Sequence, residues 1–243
     1  MTALANDELT EAVLHPVRGH HAFEACVEQL GAAIRLGVYP HGSTLPPERE
    51  LAERLTVSRA TLREAIAALR AARLVETRRG RGGGTVVKHR PVTPSQGAPL
   101  ELGPRRDELL DTLVFRRVVE PGGAHVAARR ELNDAQRELI IEAHEAVSTA
   151  SDPAAHRQCD SRFHLAIGTV TGSPQLIQAV TAVQASLHDM LTAIPILPVN
   201  IEHSNKQHRT ILNAILKGDA ARARRVMEAH CDDTASLLHG LLG

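Results

Sequence analysis

Four residues in the second half of the chain have side chains and spacings that suit a metal ion. Asp160 and His164 are four residues apart, so a helix would place them on one face. His208 lies ten residues before Gly218 and His230 twelve after it. If two antiparallel helices meet there, their equal rise per residue brings both imidazoles to nearly the same level. One carboxylate and three imidazoles facing into a bundle suit a divalent transition metal. Taken singly, each histidine is more often a core or surface residue.

A second set of residues could bind nucleic acid, and it lies in the stretch Leu51–Arg73. Apolar residues recur at helical spacing on both sides of a tight turn at Thr56–Val57, and Ser58 is a candidate N-cap for the second helix. A short helix, a turn and a basic amphipathic helix are typical of a helix-turn-helix motif. An ordinary helical hairpin with a solvated basic face explains this stretch equally well. The basic face carries Arg59, Arg63, Arg70 and Arg73.

The segment that follows predicts a β-hairpin. Leu74–Thr77 and Thr85–Val87 read as short strands, and the turn between them, Arg78–Gly84, holds three arginines and four glycines. Glycine allows a close approach to a phosphate or groove edge, and arginine supplies the charge. The turn lacks the GK[ST] ending of a nucleotide-binding loop and does not open a helix, which argues against that function. A wing beside a DNA-reading helix is the favoured interpretation, and a flexible loop is the alternative.

Composition narrows the class of protein. The 243 residues carry no net charge, yet residues 47–90 hold 11 Arg and Lys against 5 Asp and Glu, and residues 91–243 hold 15 against 18. A basic module joined to a mildly acidic one suits a polyanion binder with a second function. Aromatic residues make up only 2%, which favours a helical core of Leu, Ala, Val and Ile. With no apolar run near ~18 residues, no signal-peptide pattern and no CxxC spacing, we expect a cytoplasmic protein without a membrane partner.

The chain resembles the winged-helix domain of the GntR family of bacterial transcription regulators over roughly residues 30–87. The resemblance rests on LPPERELAERLTVSRATLREAIAALRAARLVETRRGRGGGTVV, which matches the family's Leu-Pro-x-Glu-Arg-x-Leu-Ala and Val-Ser-Arg-x-Thr-x-Arg-Glu-Ala patterns and its Gly-rich wing. Thr56 and Arg73 stand where the family favours glycine. Both sites favour a positive φ, so we expect local adjustment there and retention of the motif.

This resemblance implies a role in DNA binding for seven residues. Arg49 would meet a phosphate or base near the start of the first helix of the pair. Arg59 and Arg63 would enter the major groove, where arginine suits the O6/N7 edge of guanine. The resemblance also implies a homodimer on a palindromic operator, because one helix alone reads few bases. The remaining four residues would hold phosphates (Ser58, Thr61) or lie at the wing tip (Arg79, Gly80).

A second resemblance covers the helical part of the chain. Asp160-x-x-Phe163-His164, Gln207-His208-Arg209-x-Ile211 and Met227-x-x-His230 resemble the FCD ligand-binding domain of the FadR subgroup. In that subgroup the Asp and three His positions commonly bind zinc or nickel, which helps to hold a small carboxylate effector. The resemblance therefore implies a metal bound by Asp160, His164, His208 and His230.

The segment Phe115-Arg116-x-x-x-Glu120 fits the start of the same domain. It implies that Arg116 clamps the effector carboxylate, because the planar guanidinium pairs well with two oxygens. The alternative is an ordinary salt bridge between Arg116 and Glu120, four residues apart on a solvated helix face.

We therefore expect a mostly α fold with a small β wing, in which a winged helix-turn-helix precedes an antiparallel all-α bundle of the FCD type. Pro121 should kink the first bundle helix or begin a new segment. The expected segments are a mobile tail (1–18), the DNA-binding domain (19–88), a proline-rich linker (89–104) and the helical effector- and metal-binding domain (105–243).

Two classes of function fit these patterns. The first is a dimeric DNA-binding repressor gated by a small organic acid held at the metal, with a variant in which the metal itself is the signal. The second is a metal-dependent hydrolase, because three His and one Asp could leave an open position that activates water. The basic wing favours the regulator, since a hydrolase leaves it unexplained.

Overall fold

The computed structural model describes residues 9–10, 12–14, 22–78, 84–90, 106–150, 152–191 and 198–242. As predicted, these residues form an N-terminal winged helix-turn-helix and a C-terminal all-α bundle. None of the described helices is long and apolar enough to cross a membrane.

Residues 22–78 and 84–90 form the winged helix-turn-helix, which we call the reading head. Ser58 caps its third helix by accepting a hydrogen bond from the Thr61 N–H at 3.0 Å. The two strands pair antiparallel from Val75 opposite Val87 to Arg78 opposite Gly84, so the predicted hairpin is present. The elements of the reading head are α1 (Ala22–Arg35), α2 (Glu48–Leu55), α3 (Arg59–Ala71), β1 (Val75–Arg78) and β2 (Gly84–Val87).

Two non-glycine residues of the reading head adopt the left-handed conformation. Thr56 has a φ of 55° and closes the turn between α2 and α3, and Arg73 has a φ of 60° just after α3. Such a conformation costs an L-residue roughly 1–2 kcal/mol. The two departures from the family's glycines are therefore accommodated as positive φ, and the motif is retained as expected.

The bundle contains six described helices, and their starts have clear local causes. Asn133 and Gln136 form a reciprocal capping box ahead of the second helix. The Asp152 carboxylate accepts from the Ala155 N–H at 2.9 Å at the start of the third. The helices are α4 (Arg106–Ala128), α5 (Asp134–Thr149), α6 (Pro153–Val170), α7 (Pro174–Leu191), α8 (Pro198–Leu216) and α9 (Ala220–Leu242).

Helix α4 runs through Pro121 without dividing, so the expectation of a new segment at that residue is wrong. Proline removes the hydrogen bond to the carbonyl of Arg117 and would destabilise an isolated helix. Pro121 is buried, however, and α4 packs against α6, α7, α8 and α9. This tertiary packing outweighs the lost backbone bond.

Helices α8 and α9 form the hairpin that the histidine spacing requires. Gly218 turns the chain with a φ of +73°. Its N–H donates to the Ile215 carbonyl at 3.0 Å, and the Asp219 N–H donates to that of Ala214 at 2.9 Å. The two helices then pack along each other, which brings residues on both sides of the turn to one level.

The N-terminal segment differs from the mobile tail that we expected. Residues 9–10 and 12–13 are helical, and the side chains of Leu9, Val13 and Leu14 are buried in the hydrophobic core. Burial of three aliphatic side chains explains why these residues are placed against the rest of the molecule. The remainder of the predicted tail, and residues 91–104 of the predicted linker, lie outside the described residues.

The reading head touches the bundle through helix α6. The Gln158 side-chain amide donates to the Arg35 carbonyl at the end of α1 at 2.8 Å. Gly37 follows with a φ of +73°, and a Cβ on it would lie 3.2 Å from that of Gln158. The end of α1 is therefore fitted closely to one side chain of α6.

Candidate functional site

The arginines expected to read DNA are exposed on the reading head, and two of them are ion-paired within it. Arg49 lies 2.9 Å from the Glu53 carboxylate and Arg63 lies 2.8 Å from that of Glu48. Arg59 is exposed at the first position of α3. Exposed pairs of this kind stabilise a protein by only ~0–1 kcal/mol. DNA can therefore replace the carboxylates at little cost.

Of the other four residues expected at the DNA interface, the structure describes only Ser58 and Thr61. Ser58 and Thr61 lie at the start of α3 with their hydroxyl oxygens 2.8 Å apart, so Ser58 has a capping role in addition to any phosphate contact. Arg79 and Gly80 lie outside the described residues.

The structure brings the four expected metal ligands together inside the bundle. One ring nitrogen from each of His164, His208 and His230 lies within 4.8 Å of the others, and all three side chains are buried. A carboxylate oxygen of Asp160 lies 3.5 Å from His208 Nε2, and its other oxygen lies 4.0 Å from His164 Nε2. Asp160 occupies the more exposed side of the group.

A buried carboxylate, Glu120, lies behind these ligands and contacts two of the groups that would act there. Its Oε2 lies 2.8 Å from Arg116 Nε and 3.0 Å from His164 Nδ1. Its Oε1 accepts from the Gln184 amide at 2.5 Å. With Nδ1 facing Glu120, His164 presents Nε2 toward Asp160. Our sequence reasoning treated Glu120 only as a possible surface partner of Arg116.

Arg116 forms the i,i+4 ion pair with Glu120, but the solvated face expected in that alternative is wrong. The side chains of Arg116 and Glu120 are only 3% and 2% exposed. Arg116 also donates from Nη2 to His230 Nε2 at 3.1 Å, and it lines the bundle cavity. The ion pair therefore holds the guanidinium at the site, where it could also meet a carboxylate.

Hydrogen bonds select one tautomer of His230. An arginine can only donate, so Nε2 of His230 accepts from Arg116. Its Nδ1 lies 3.1 Å from the Gln207 side-chain oxygen, to which it donates. Gln207 in turn donates to Asp233 at 2.6 Å, which lies 2.9 Å from His203 at the surface. The Nε2 lone pair is therefore occupied by Arg116 in this arrangement, and a metal bound at Nε2 would replace that hydrogen bond.

Burial sets the charges of the site. Desolvation, with smaller contributions from neighbouring cations, lowers the pKa of His208 and of His230 well below the usual value. Burial alone would raise the pKa of Glu120, but Arg116 and His164 hold it well below its usual value. Desolvation opposes the charge of Arg116, but Glu120 keeps its pKa raised overall. Both members of this ion pair are therefore charged, and the two histidines are neutral and able to bind a metal.

The two cysteines beside the expected ligands are protonated thiols. Burial raises the pKa of Cys231 to about 12 and also raises that of Cys159. The Sγ of Cys231 lies 3.7 Å from Oε2 of Glu120, at the edge of the site. A protonated thiol is a poor metal ligand, so the donor set consists of imidazoles and carboxylate.

A cavity of about 180 Å³ opens beside the ligands. Its polar lining includes Arg116, Asp160 and His230, which belong to the site already described. Position along the chain did not mark out the other polar side chains, because they come from four helices, α6 to α9, and meet only through the packing of those helices. These additional polar residues are His156, Arg157, Ser161, Gln184, His188, Asn200, His203, Ser204, Gln207, Asp233 and Thr234, and the apolar ones are Leu187, Leu191, Ile201 and Leu237.

The residues fit a divalent transition metal. Among the described residues, both ring nitrogens of His164 and Nδ1 of His208 are buried without a hydrogen-bond partner, an arrangement that is costly unless another ligand is bound. Imidazole nitrogens suit zinc or nickel better than magnesium or calcium, which prefer oxygen. His164, His208, His230 and Asp160 would hold the ion, and such an ion would polarise a bound carboxylate.

Comparison with known proteins identifies both parts of the chain. The family described as "Bacterial regulatory proteins, gntR family" matches residues 23–87, and the FCD domain matches residues 111–233. The HTH-type transcriptional regulator Mce2R of Mycobacterium tuberculosis is 31% identical, over 88% of this chain and 90% of its own length. A candidate L-lactate dehydrogenase operon regulatory protein of Escherichia coli is 34% identical, over 78% of this chain and 75% of its own length.

Among solved structures, Escherichia coli McbR/YncC resembles the chain in fold. Its TM-score is 0.54 at 17% sequence identity, and the match covers 93% of this chain and all of the other. At this identity the likeness concerns the fold alone.

The lowered histidine pKa values predict how stability depends on pH in the metal-free protein. Between pH 6.5 and 5.5 the unfolded chain binds protons that buried His208 and His230 do not. The free energy of unfolding should therefore fall as pH drops below about 6.5, by up to ~1.4 kcal/mol per pH unit for each histidine. Urea unfolding of EDTA-treated protein at a series of pH values measures this fall in the free energy of unfolding. His208→Gln should make the fall shallower and the exposed control His239→Gln should not; a fall unchanged by His208→Gln contradicts the prediction.

Proposed function

This chain belongs to the GntR family of DNA-binding transcription regulators and carries an FCD domain, and from that premise we propose that it is a dimeric repressor released by a small carboxylate. The carboxylate would bind beside a zinc or nickel ion in the bundle. The single observation that carries this proposal is the buried group of three histidines beside Asp160 and Arg116. Its relatives are regulators and not enzymes, which sets the hydrolase aside.

The effector site combines two cationic groups that a carboxylate needs. Arg116 is fixed by Glu120 and lines the cavity, and the metal would be held by the neighbouring imidazoles. A guanidinium beside a metal suits a carboxylate that binds both. One relative carries the description of an L-lactate dehydrogenase operon regulator, and lactate is a small organic acid.

The proposed dimer is supported by an apolar stripe on the outer face of α4. Val114, Phe115 and Val118 are 67%, 47% and 70% exposed, which is unusual for large apolar side chains on one helix face. The same helix buries Arg116 and Glu120 on its inner face. A second copy packed on this stripe would lie one helix thickness from the effector site, so a change at that site could shift the dimer.

Contact between the reading head and α6 supports coupling from the site to DNA. Asp160 and His164 occupy one face of α6, and Gln158 contacts the Arg35 carbonyl from another. A helix advances ~100° per residue, so positions 158 and 160 point in nearly opposite directions. Displacement of α6 on effector binding would therefore move the end of α1. Such gating requires the effector to prefer one arrangement of the two domains.

The assignment of Arg63 to base reading predicts a loss of specific binding. Arg63→Ala should weaken binding to a DNA site selected from random sequences by ~1–3 kcal/mol, and binding to unrelated DNA by less. Fluorescence anisotropy with both DNAs measures the difference. Arg70→Ala removes the same charge about two turns nearer the end of α3 and should weaken binding to both DNAs alike. Unchanged affinity of Arg63→Ala for the selected site contradicts the assignment.

The effector site predicts release of DNA that requires the metal. In the nickel- or zinc-loaded protein, an active member of a panel of small carboxylates should raise the Kd for the selected DNA about 5–150-fold, the usual range of allosteric coupling. EDTA should abolish the effect. His208→Ala should bind DNA normally without responding. Release of DNA by metal alone would show instead that the metal is the signal.

The apolar stripe predicts the oligomeric state. Val118→Asp would place a charge in the proposed interface, and light scattering should show a monomer where the unaltered protein is a dimer. Ala221→Asp adds the same charge at an exposed position of α9 and should leave the dimer intact. A Val118→Asp variant that remains dimeric would place the interface elsewhere.

A further inference from the structure

We propose that the bundle cavity, once a divalent metal is bound, selects a short-chain monocarboxylate over a dicarboxylate of the same length. The inference rests on the proposed function, since it assumes that a carboxylate binds at the metal site. It narrows that function to one chemical class of effector.

The charges of the buried groups carry the inference. Arg116 is a cation, and Glu120 and Asp160 are anions. The three histidines are neutral as metal ligands, because a ligand nitrogen must be deprotonated. A divalent ion brings two positive charges, so the completed site has a net charge of one positive unit. A single carboxylate balances it, whereas a second carboxylate would leave an unpaired negative charge, which is costly in a partly desolvated site.

The net charge of the site also explains why a carboxylate should need the metal in order to bind. Without the ion, Arg116, Glu120 and Asp160 sum to one negative charge. Glu120 also occupies the Nε side of the Arg116 guanidinium at 2.8 Å. A carboxylate entering the metal-free cavity would therefore add to an existing excess of negative charge.

Size and lining of the cavity favour a short acid with an apolar end. The volume of about 180 Å³ is below the ~300–1,000 Å³ typical of pockets for drug-sized ligands. Leu187, Leu191 and Leu237 supply apolar wall, and Gln184 and Ser161 are neutral polar groups. A short aliphatic chain fits this lining without burying a second charge.

Two further charged residues line the cavity and oppose each other. Burial lowers the pKa of Arg157 to about 10, so it remains a cation at neutral pH. Asp233 balances that charge and is held by His203 and Gln207. With a divalent metal, the charges of Arg116, Arg157, Asp160 and Asp233 among the described lining residues, together with that of Glu120 behind them, sum to one positive unit. Arg157 is the group that a second carboxylate would have to reach.

Butyrate and succinate test the inference directly, because they share a four-carbon chain and differ by one carboxylate. Isothermal titration calorimetry would use the full chain loaded with one equivalent of nickel, with nickel content measured before and after. Butyrate should bind at least tenfold more tightly than succinate, and neither should bind after treatment with EDTA. Equal affinity within threefold, or a preference for succinate, overturns the inference, and the latter would indicate Arg157 as the second partner.

Charge variants separate selectivity from folding. Glu120→Gln raises the net charge of the metal-loaded site by one unit and should improve succinate relative to butyrate at least tenfold. Asn200→Asp, which is nearly isosteric, lowers the charge by one unit and should weaken butyrate at least fivefold. Asn200→Ser leaves the charge unchanged and should leave the ratio of the two affinities unchanged. If the ratio of butyrate affinity to succinate affinity does not follow these charge changes, the inference is overturned. The Asn200 variants provide this test even if Glu120→Gln fails to fold.

The binding measurements distinguish a failure of the charge selectivity from a failure of the proposed function. If succinate binds and butyrate does not, the charge selectivity is wrong while a metal-held carboxylate remains. If neither acid nor any other carboxylate of the panel binds the nickel-loaded protein, the proposed function itself is wrong.

Discussion

The interaction on which the bundle site depends is the contact of one buried carboxylate with a guanidinium and an imidazole. Glu120 is nearly inaccessible to solvent, and it lies within hydrogen-bonding distance of both Arg116 and His164. A lone buried carboxylate would be costly, but this one is compensated on each oxygen. Its contact with Nδ1 of His164 leaves Nε2 facing the site, and its contact with Arg116 sets the position of the guanidinium. Removal of Glu120 would free both groups at once, so the geometry of the site follows from this carboxylate more than from any single ligand.

Sequence reasoning predicted that the four proposed ligands would meet, because their spacing is tied to helix geometry. Asp160 and His164 are one turn apart, and His208 and His230 lie at nearly equal distances from a glycine turn, so regular helices bring them together. The positive φ of Thr56 and Arg73 was also predictable, since each replaces a family glycine.

The residues that sequence reasoning missed depend on tertiary packing. Burial of Arg116 and Glu120 depends on which face of α4 meets α7 and α9, and helical periodicity through Pro121 does not reveal it. Gln184 and Gln207 belong to helices that carry many polar residues, so nothing in their spacing marks them. The buried N-terminal residues Leu9 and Val13 lacked enough periodicity to predict a place in the core. Local patterns thus predicted the elements, and only their packing revealed the contacts between them.

The ion pairs of the reading head have a consequence for how the protein searches DNA. Arg63 and Arg49 each carry a carboxylate partner on the same domain, Glu48 and Glu53. Random phosphates must displace that partner before they gain the arginine, so nonspecific contacts release fewer counterions than bare arginines would. If Arg49 and Arg63 contact DNA as proposed, the head would bind unrelated sequence more weakly, and that binding would depend less steeply on salt. Contact with a guanine edge must break the same pair, so the acidic partners would lower the affinity for all sequences and leave discrimination to the contacts between arginine and bases.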